Sequence, residues 1–378
     1  MNHTSKNAWP TLVNGSIISI SMTTSSKTKK ASLNKPSSKS IKLSKITRRS
    51  RPTLLSAFVQ GFLKRVLNTV TAYELWQKND SFIVAVSGGP DSLCLLDVLY
   101  LLSKKYAFTL HVAHVNYHLR GTDSDLDEAC VRERTHSYGL SLTVLSPKKT
   151  TGGNLEEKLR DIRYHFFEKL RAKKNASLIA VAHHEDDQAE TFLLRLLRGS
   201  GLTGLSAMRP KHGYVIRPLI AMNRTDILRY LKERRLSYRT DHSNTDPHFF
   251  RNRLRNELLP LLEKKYQPRI RKILADTASL LAADYALFEE DFVLPATKTG
   301  TSICFSVKTL LALPEPLLRH QMRLLLRPFF CGKFPPKGAI EEVLKLLKST
   351  KNKPQTYSFQ GLKIERKGDT VRLLDFSE

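Results

Sequence analysis

Acidic residues are scarce in this 378-residue chain: 35 Asp and Glu stand against 62 Lys and Arg, and none occurs before Glu74. The resulting net charge of +27 points to a polyanionic partner, with nucleic acid ahead of an anionic membrane. Cysteine is also sparse. Cys94, Cys130, Cys304 and Cys331 form no CxxC pair and no zinc spacing, which leaves reduced thiols in a cytoplasmic protein as the simplest reading. No apolar run approaches the roughly 18 residues that a membrane helix needs, so no membrane partner is expected. No internal repeat is visible. The hydrophobic content of 41% is ordinary for a globular protein, and the length allows two or three domains with ample core.

What is present is organised around Ser87-Gly88-Gly89-Pro90-Asp91-Ser92. The apolar, β-branched run Phe82–Val86 before it suits a buried parallel strand, and Leu93–Leu99 after it has leucines at helical spacing. Pro90 sits where a first-turn proline costs no hydrogen bond, and Asp91 favours the positive end of the helix dipole. Strand, paired glycines and helix start together form a phosphate cradle, because backbone N–H groups converge and no Cβ obstructs the anion. The loop holds no lysine and so is not the GxxxxGK[ST] loop of ATPases.

Residues 1–52 are rich in Ser, Thr and Lys without hydrophobic periodicity and are expected to be a disordered basic extension. A nonspecific RNA-binding arm, a transit peptide and an overlong start with Met22 or a later codon as the true beginning are the readings open for it. From Leu54 onward helices and strands alternate. Strands are expected at Phe82–Val86, Phe108–Val115, Leu140–Leu145, Leu178–Ala182 and Val215–Ile216, with helices at Leu54–Trp76, Asp123–Tyr138, Asn154–Lys174 and Glu185–Leu197. This alternation means α/β architecture with a doubly wound parallel sheet, whose ligands bind at the carboxyl ends of the strands. Beyond Met222 the pattern turns helical (Arg224–Arg235, Phe249–Lys264, Ile270–Asp291, Pro316–Arg327, Ala339–Leu347) and ends in a short β-meander over Tyr357–Leu374. The expected division is a 53–265 catalytic domain followed by a smaller, mainly helical 266–378 domain.

A second block, Ala182-His183-His184-Glu185-Asp186-Asp187-Gln188-Ala189-Glu190-Thr191, opens a helix at a strand end. Asp187 and Glu190 are three apart and share a face, so they are placed either to hold Mg²⁺ or a substrate ammonium, or simply to complement the helix dipole. No third ligand has the spacing for zinc. Arg251, Asn252, Arg253 and Arg255 sit at helical spacing suited to phosphates, and Arg319, Arg323 and Arg327 repeat that pattern. Phe249, Phe250 and Tyr266 are candidates either for stacking on unpaired bases or for the core.

The Ser87–Ser92 loop resembles the SGGxDS loop of the PP-loop pyrophosphatases. The block from His183 to Met208 is similar to the HHxxDQxETxLxxLxRGSGxxGLxxM signature of the tRNA(Ile)-lysidine synthetases within that class. His114–Gly121 resembles that family's HVNHxLRG segment, with Tyr117 where histidine is common, and Glu156–Tyr164 resembles its E-x-x-A-R-x-x-R-Y helix, with Leu159 at the small position. Arg217-Pro218-Leu219, Asp241–Asn244 and Arg251–Pro260 match later landmarks. The likeness covers Phe82 to Pro260, and set beside longer members the chain is expected to lack a terminal domain.

The resemblance implies an ATP-dependent ligation of free L-lysine to the wobble cytidine of the CAU-anticodon isoleucine tRNA. The reaction would run through an adenylated cytidine and change codon reading from AUG to AUA. It implies ATP held by Ser87, Gly88, Gly89, Pro90, Asp91 and Ser92, with Mg²⁺ on Asp91. Asp91, Arg160 (or Arg163), Asp187 and Glu190 would be catalytic. His183, Asp187, Glu190, Arg251, Asn252 and Arg255 would bind lysine or tRNA, and residues 266–378 would form a C-terminal tRNA-binding domain. A homodimer is left open. The alternative is another PP-loop tRNA modifier, a base thiolase, which usually carries CxxC cysteines that this chain lacks.

Overall fold

The computed structural model describes residues 55–148, 155–239, 250–290, 297–299, 302–330, 335–351, 353–359 and 362–375. The basic extension 1–52, Asn154, the Asp241–Asn244 landmark, Phe249 and Cys331 lie outside them. Helix α1 (Ala57–Ala72) is capped by Ser56, whose Oγ accepts the Val59 N–H, and it buries Val59, Phe62, Val66 and Val70 at three- and four-residue spacing. It covers one face of a sheet whose central strand, β1 (Ser81–Ala85), leads into the glycine loop.

The chain continues through α2 (Pro90–Tyr106), β2 (Thr109–Val115), α3 (Thr122–Ser137), β3 (Ser141–Leu145), α4 (Leu155–Lys173), β4 (Leu178–Ala180) and α5 (Glu185–Leu197). A short α6 (Leu202–Leu205), β5 (Lys211–His212), β6 (Val215–Ile216) and α7 (Arg224–Glu233) complete the α/β part. The strand order is β3-β2-β1-β4-β6-β5, parallel except for β5, which pairs antiparallel with β6 at the edge. From β1 the chain winds to one side, and from β4 to the other. The switch point therefore falls between β1 and β4, where Ser87 and His183 follow the two strand ends.

The two faces differ in composition. One is the larger core formed with α1, α2 and α7, including Phe82, Val84, Leu95, Leu99 and Tyr230. The other packs Ile83, Ala113, Ile179 and Val181 against Phe167 and Leu170 of α4.

Helix α8 (Phe250–Arg253) runs through a π-helical turn (Leu254–Leu258) into α9 (Leu259–Lys265), and α10 (Ile270–Glu290) follows. Leu254 and Leu259 would point roughly 140° apart on an α-helix. The wider turn, closed by the Leu259 N–H bonding to the Leu254 carbonyl, is one in which residues five apart share a side. Both leucines pack with Leu193 of α5, and Ile270 and Leu274 of α10 pack against the same cluster. Thus α10, assigned from sequence to the second part, lies along α5 of the first.

The remainder is a five-stranded antiparallel sheet of order β7-β8-β11-β10-β9, with three helices packed against it. Its strands are β7 (Thr297–Thr299), β8 (Ser302–Ser306), β9 (Gln355–Phe359), β10 (Leu362–Lys367) and β11 (Thr370–Asp375). Its helices are α11 (Val307–Leu311), α12 (Glu315–Leu326) and α13 (Lys337–Lys348). The last three strands are the meander read from sequence. The pair β7 and β8 is added by antiparallel pairing of β8 with β11. No helix among the described residues is long and apolar enough to cross a membrane.

Asp97 of α2 ties the large core together. It is fully buried and accepts hydrogen bonds from Tyr138 Oη (2.6 Å), Tyr230 Oη (2.6 Å) and Arg234 Nε and Nη2 (2.8 and 3.0 Å). Asp97→Ala leaves the guanidinium and two hydroxyls without their acceptor, and should cost about 3–5 kcal/mol. Urea unfolding checks this; a midpoint within error of the parent would show that the contacts contribute nothing net.

Candidate active site

A cavity of about 570 Å³ opens at the switch point. Ser87, Gly89, Asp91 and Ser92 line it from the glycine loop, and Ala113–Tyr117 from the end of β2. Leu159, Arg163, Tyr164 and Phe167 line it from α4, and His183 and Asp187 from the β4–α5 junction.

The loop is held by its own serines. Ser92 Oγ accepts the Ser87 N–H at 3.1 Å and donates to the Gly89 carbonyl at 2.9 Å. Gly88 has φ +96° and packs against Asp127, where a Cβ would come within 3.2 Å of the Asp127 carbonyl; glycine is required on both counts. Gly89 is the N-cap of α2 and buried Pro90 begins it, so Asp91 stands in the first turn.

Opposite the loop, the start of α5 carries a set of interlocked charges. The His184 N–H donates to Asp187 Oδ2 at 3.1 Å, and its Nε2 lies 3.6 Å from Asp91 Oδ1 and 3.5 Å from Asp187 Oδ2. Burial alone would depress its pKa, but the carboxylates of Asp187 and Asp91 outweigh burial and hold it at about 9. His184 is thus an imidazolium bridging the phosphate loop to α5. Burial would raise the Asp187 pKa, yet His184, Arg251, His183 and Arg255 together hold it well below the carboxylate range.

Glu190 is fully buried and accepts from Arg251 Nε (2.8 Å) and Arg255 Nη2 (2.9 Å), as well as from Arg255 Nε. Arg251 Nη2 also donates to Asp187 Oδ1 at 2.9 Å.

The residues singled out from sequence therefore separate. Ser87, Gly89, Asp91, Ser92, His183 and Asp187 share the cavity wall, and buried Gly88 and Pro90 shape the loop. Glu190 sits behind Asp187, off the wall. Arg251 and Arg255, read as a phosphate-facing row, turn inward onto the two acids instead; fully buried Glu190 demands cations, and Leu254 and Leu259 anchor that turn against α5. Asn252 is half-buried on the same turn. Arg160 is exposed and stacks over the Tyr164 ring at 5.1 Å, whereas Arg163 lines the cavity. Arg319 pairs with Glu315 and Glu341. Tyr117, in the histidine position, donates to the Leu159 carbonyl at 2.6 Å and so bridges β2 to α4.

Three participants were missed. They are His184, Arg224, whose Nη1 meets Asp91 Oδ2 at 3.2 Å, and Arg239, whose N–H donates to the Gly88 carbonyl at 3.2 Å. His184 adjoins the block already recognised, but the two arginines reach the loop from far along the chain and carry no local signal.

A phosphate cradle at the switch point of a parallel sheet, facing a buried carboxylate, defines a nucleotide-binding α/β enzyme domain. The family model for the PP-loop domain (ATP_bind_3) matches residues 55–262, more than half of the chain, and the chain belongs to that family. Among curated proteins it is 35% identical over 300 residues to the tRNA(Ile)-lysidine synthase of Caldanaerobacter subterraneus subsp. tengcongensis, covering 76% of this chain and 64% of that one. It is 41% identical over 278 residues to the tRNA(Ile)-lysidine synthase of Geobacter sulfurreducens, covering 70% of this chain and 58% of that one. The chain thus spans about three-fifths of the length of these relatives. The U34-tRNA thiolase NcsA of Methanococcus maripaludis, solved with its [4Fe-4S] cluster, shares the fold at TM-score 0.50 and 18% identity, over 60% of this chain and 79% of that one.

The His184 charge carries a pH signature. Its folded pKa, about 9, exceeds the ordinary value of 6.5, so its stabilisation is complete below about pH 6.5 and lost as pH rises through 9. Stability should fall between pH 6.5 and 9 in the parent, and His184→Gln should flatten that slope. Equal slopes in urea titrations at pH 6, 7.5 and 9 would remove the imidazolium from the site.

Proposed function

We propose that this protein ligates free lysine to the wobble cytidine of a CAU-anticodon isoleucine tRNA, using ATP. The observation that carries this reading is the presence of the phosphate loop and the ionised Asp187 on one cavity wall. The likeness to the two curated synthases supports it.

In the first step the cytidine C2 oxygen bonds to the α-phosphorus of ATP and pyrophosphate leaves. In the second, the lysine ε-ammonium gives up a proton to water, the resulting amine bonds to C2, and AMP leaves. Backbone N–H groups of the turn other than Ser87, whose N–H is bonded to Ser92 Oγ, and Pro90, which has none, hold the polyphosphate together with the α2 dipole. Arg163 faces the cavity where charge develops on the transferring phosphate.

Mg²⁺ fits Asp91. Its Oδ1 is buried and makes no hydrogen bond among the described residues, and no group of three metal-type ligands occurs among them. An ion carried in on the nucleotide with one protein oxygen matches the habit of Mg²⁺, and when bound it would neutralise polyphosphate charge. Asp187, kept ionised by the cations of His184, Arg251 and Arg255, anchors the lysine ammonium. Its depressed pKa makes it a poor proton acceptor near neutral pH. Glu190, enclosed by two guanidinium groups, sets the position of Asp187 from behind.

The test is stable transfer of radiolabelled lysine to transcripts of the CAU isoleucine tRNA, with none to methionine tRNA. AMP release without lysine transfer would favour another PP-loop modification. Asp91→Ala should lower AMP formation by about 100- to 1,000-fold, the scale of losing one positioned electrostatic group, while tRNA binding persists in a filter assay. Retained turnover would take the loop out of the mechanism.

A further inference from the structure

Arg163 lines the cavity from α4, and among the described residues its guanidinium makes no ion pair or hydrogen bond. A long cation without partners keeps its rotamer freedom and is placed only by the backbone turn that carries it. Packing does little to hold that turn. Among the described residues Phe167 is the first buried one of α4, and with Leu170 it seats the second half of the helix on the sheet. Tyr164 is half-buried beside them, and its hydroxyl meets the Arg217 guanidinium. Leu155, Leu159, Arg163 and Phe167, each four residues from the next, share one helix face, and that face lines the cavity.

One turn before Arg163 the tie to the sheet is polar. Tyr117 Oη donates to the Leu159 carbonyl at 2.6 Å. In an α-helix that carbonyl also accepts the N–H four residues on, here that of Arg163, and its two lone pairs accommodate both donors. The hydroxyl therefore grips the peptide group to which the Arg163 backbone is bonded.

Tyr117, just beyond the end of β2, stands on a fixed base. Asn116 Nδ2 donates to Asp125 Oδ1 and Glu128 Oε2 of α3 at 3.1 and 3.0 Å, and its Oδ1 accepts the His118 N–H at 3.0 Å. Burial pushes the Tyr117 pKa up against the opposing pull of Arg163, so the hydroxyl stays protonated, and a donor, near neutral pH.

We propose that Tyr117 is a positioning residue: its hydroxyl straps α4 to the end of β2 and so fixes the place from which Arg163 acts on the cavity. Assigning that action to the transferring phosphate rests on the proposed ligation; the strap does not.

The experiment is a double-mutant cycle on the full chain with Tyr117→Phe, Arg163→Gln and the two combined. It is read as pyrophosphate release from Mg-ATP in the presence of lysine and unfractionated tRNA. Arg163→Gln should lower kcat about 100- to 1,000-fold. Tyr117→Phe removes one oxygen and keeps the ring; it should lower kcat about 3- to 10-fold, the scale of one neutral hydrogen bond, with KM for Mg-ATP unchanged. Added to Arg163→Gln, the same change should cost nothing further. An equal loss from Tyr117→Phe with and without the Arg163 guanidinium would overturn the proposal, because Tyr117 would then act by some route other than Arg163.

Hydrogen exchange on the protein without substrates gives a second reading. Amides from Leu159 to Arg163 should exchange about 3- to 10-fold faster in Tyr117→Phe than in the parent, while those beyond Phe167 keep their protection. Unchanged exchange at that turn would also overturn the proposal. Pyrophosphate release without lysine transfer would leave the cycle readable and remove only the ligation reading.

Discussion

Two carboxylates three residues apart at the start of a helix repel each other, and burying them requires cations from elsewhere in the chain. Asp187 and Glu190 obtain these from Arg251 and Arg255, more than sixty residues onward. That requirement fixes where α8 and the π-turn lie on α5, and the leucines beside the arginines then recruit α10. The stability of this cluster and the chemistry of the cavity are one problem. The arginines that neutralise Glu190 also hold Asp187 ionised at the wall, and His184 carries the charge across to Asp91.

The signature block divides between two tasks. Its first part, His183, His184 and Asp187, supplies charge and hydrogen-bonding groups around the cavity. Its second part is scaffold. Gln188 exchanges two hydrogen bonds with the Met208 backbone (2.7 and 2.8 Å), and Arg195 Nη1 bonds the Gly204 and Ala207 carbonyls (2.8 and 2.9 Å). A Cβ on Gly204 would lie 2.5 Å from that of Ser200, so the glycine-rich turn closes only with glycine there. Not every member of a motif needs to face the cavity; here the second part holds the first in place.

The five parallel strands were legible, β1 to β4 as short runs rich in apolar residues with a locally periodic helix after each and β6 as the apolar pair Val215-Ile216. The polar edge strand β5 (Lys211-His212) was not. The phosphate loop was legible from the same local pattern. Strand β7, the polar Thr297-Lys298-Thr299, and β8 were not: β8 is ordered by pairing with β11, about seventy residues away, and β7 by pairing with β8, and neither has an alternation strong enough to announce it. Residue types within the site were recognised, but their directions were not. Arg251 and Arg255 at helical spacing read as a charged face, and nothing local says that the face is turned inward onto acids. Likewise, Arg217 stood out only as part of a landmark. Its neighbours are His183, Tyr164 and the Arg209 carbonyl, a contact set that exists only after β6 has joined β4.

With those side chains engaged internally, the excess positive charge must act elsewhere. Arg319 pairs with Glu315 and Glu341, which removes much of its value to a polyanion. The exposed segment that remains beside the site is the turn between α9 and α10: Lys264, Lys265, Tyr266 and Arg269 are all solvent-facing, and Tyr266 is 75% exposed. Arg253 and Phe250 lie exposed on the preceding turns, with the Arg253 guanidinium 5.9 Å from the Phe250 ring. Cations for phosphates and unburied rings for bases are what an unpaired RNA loop requires. They lie on the same helical segment whose inner arginines hold Asp187 and Glu190.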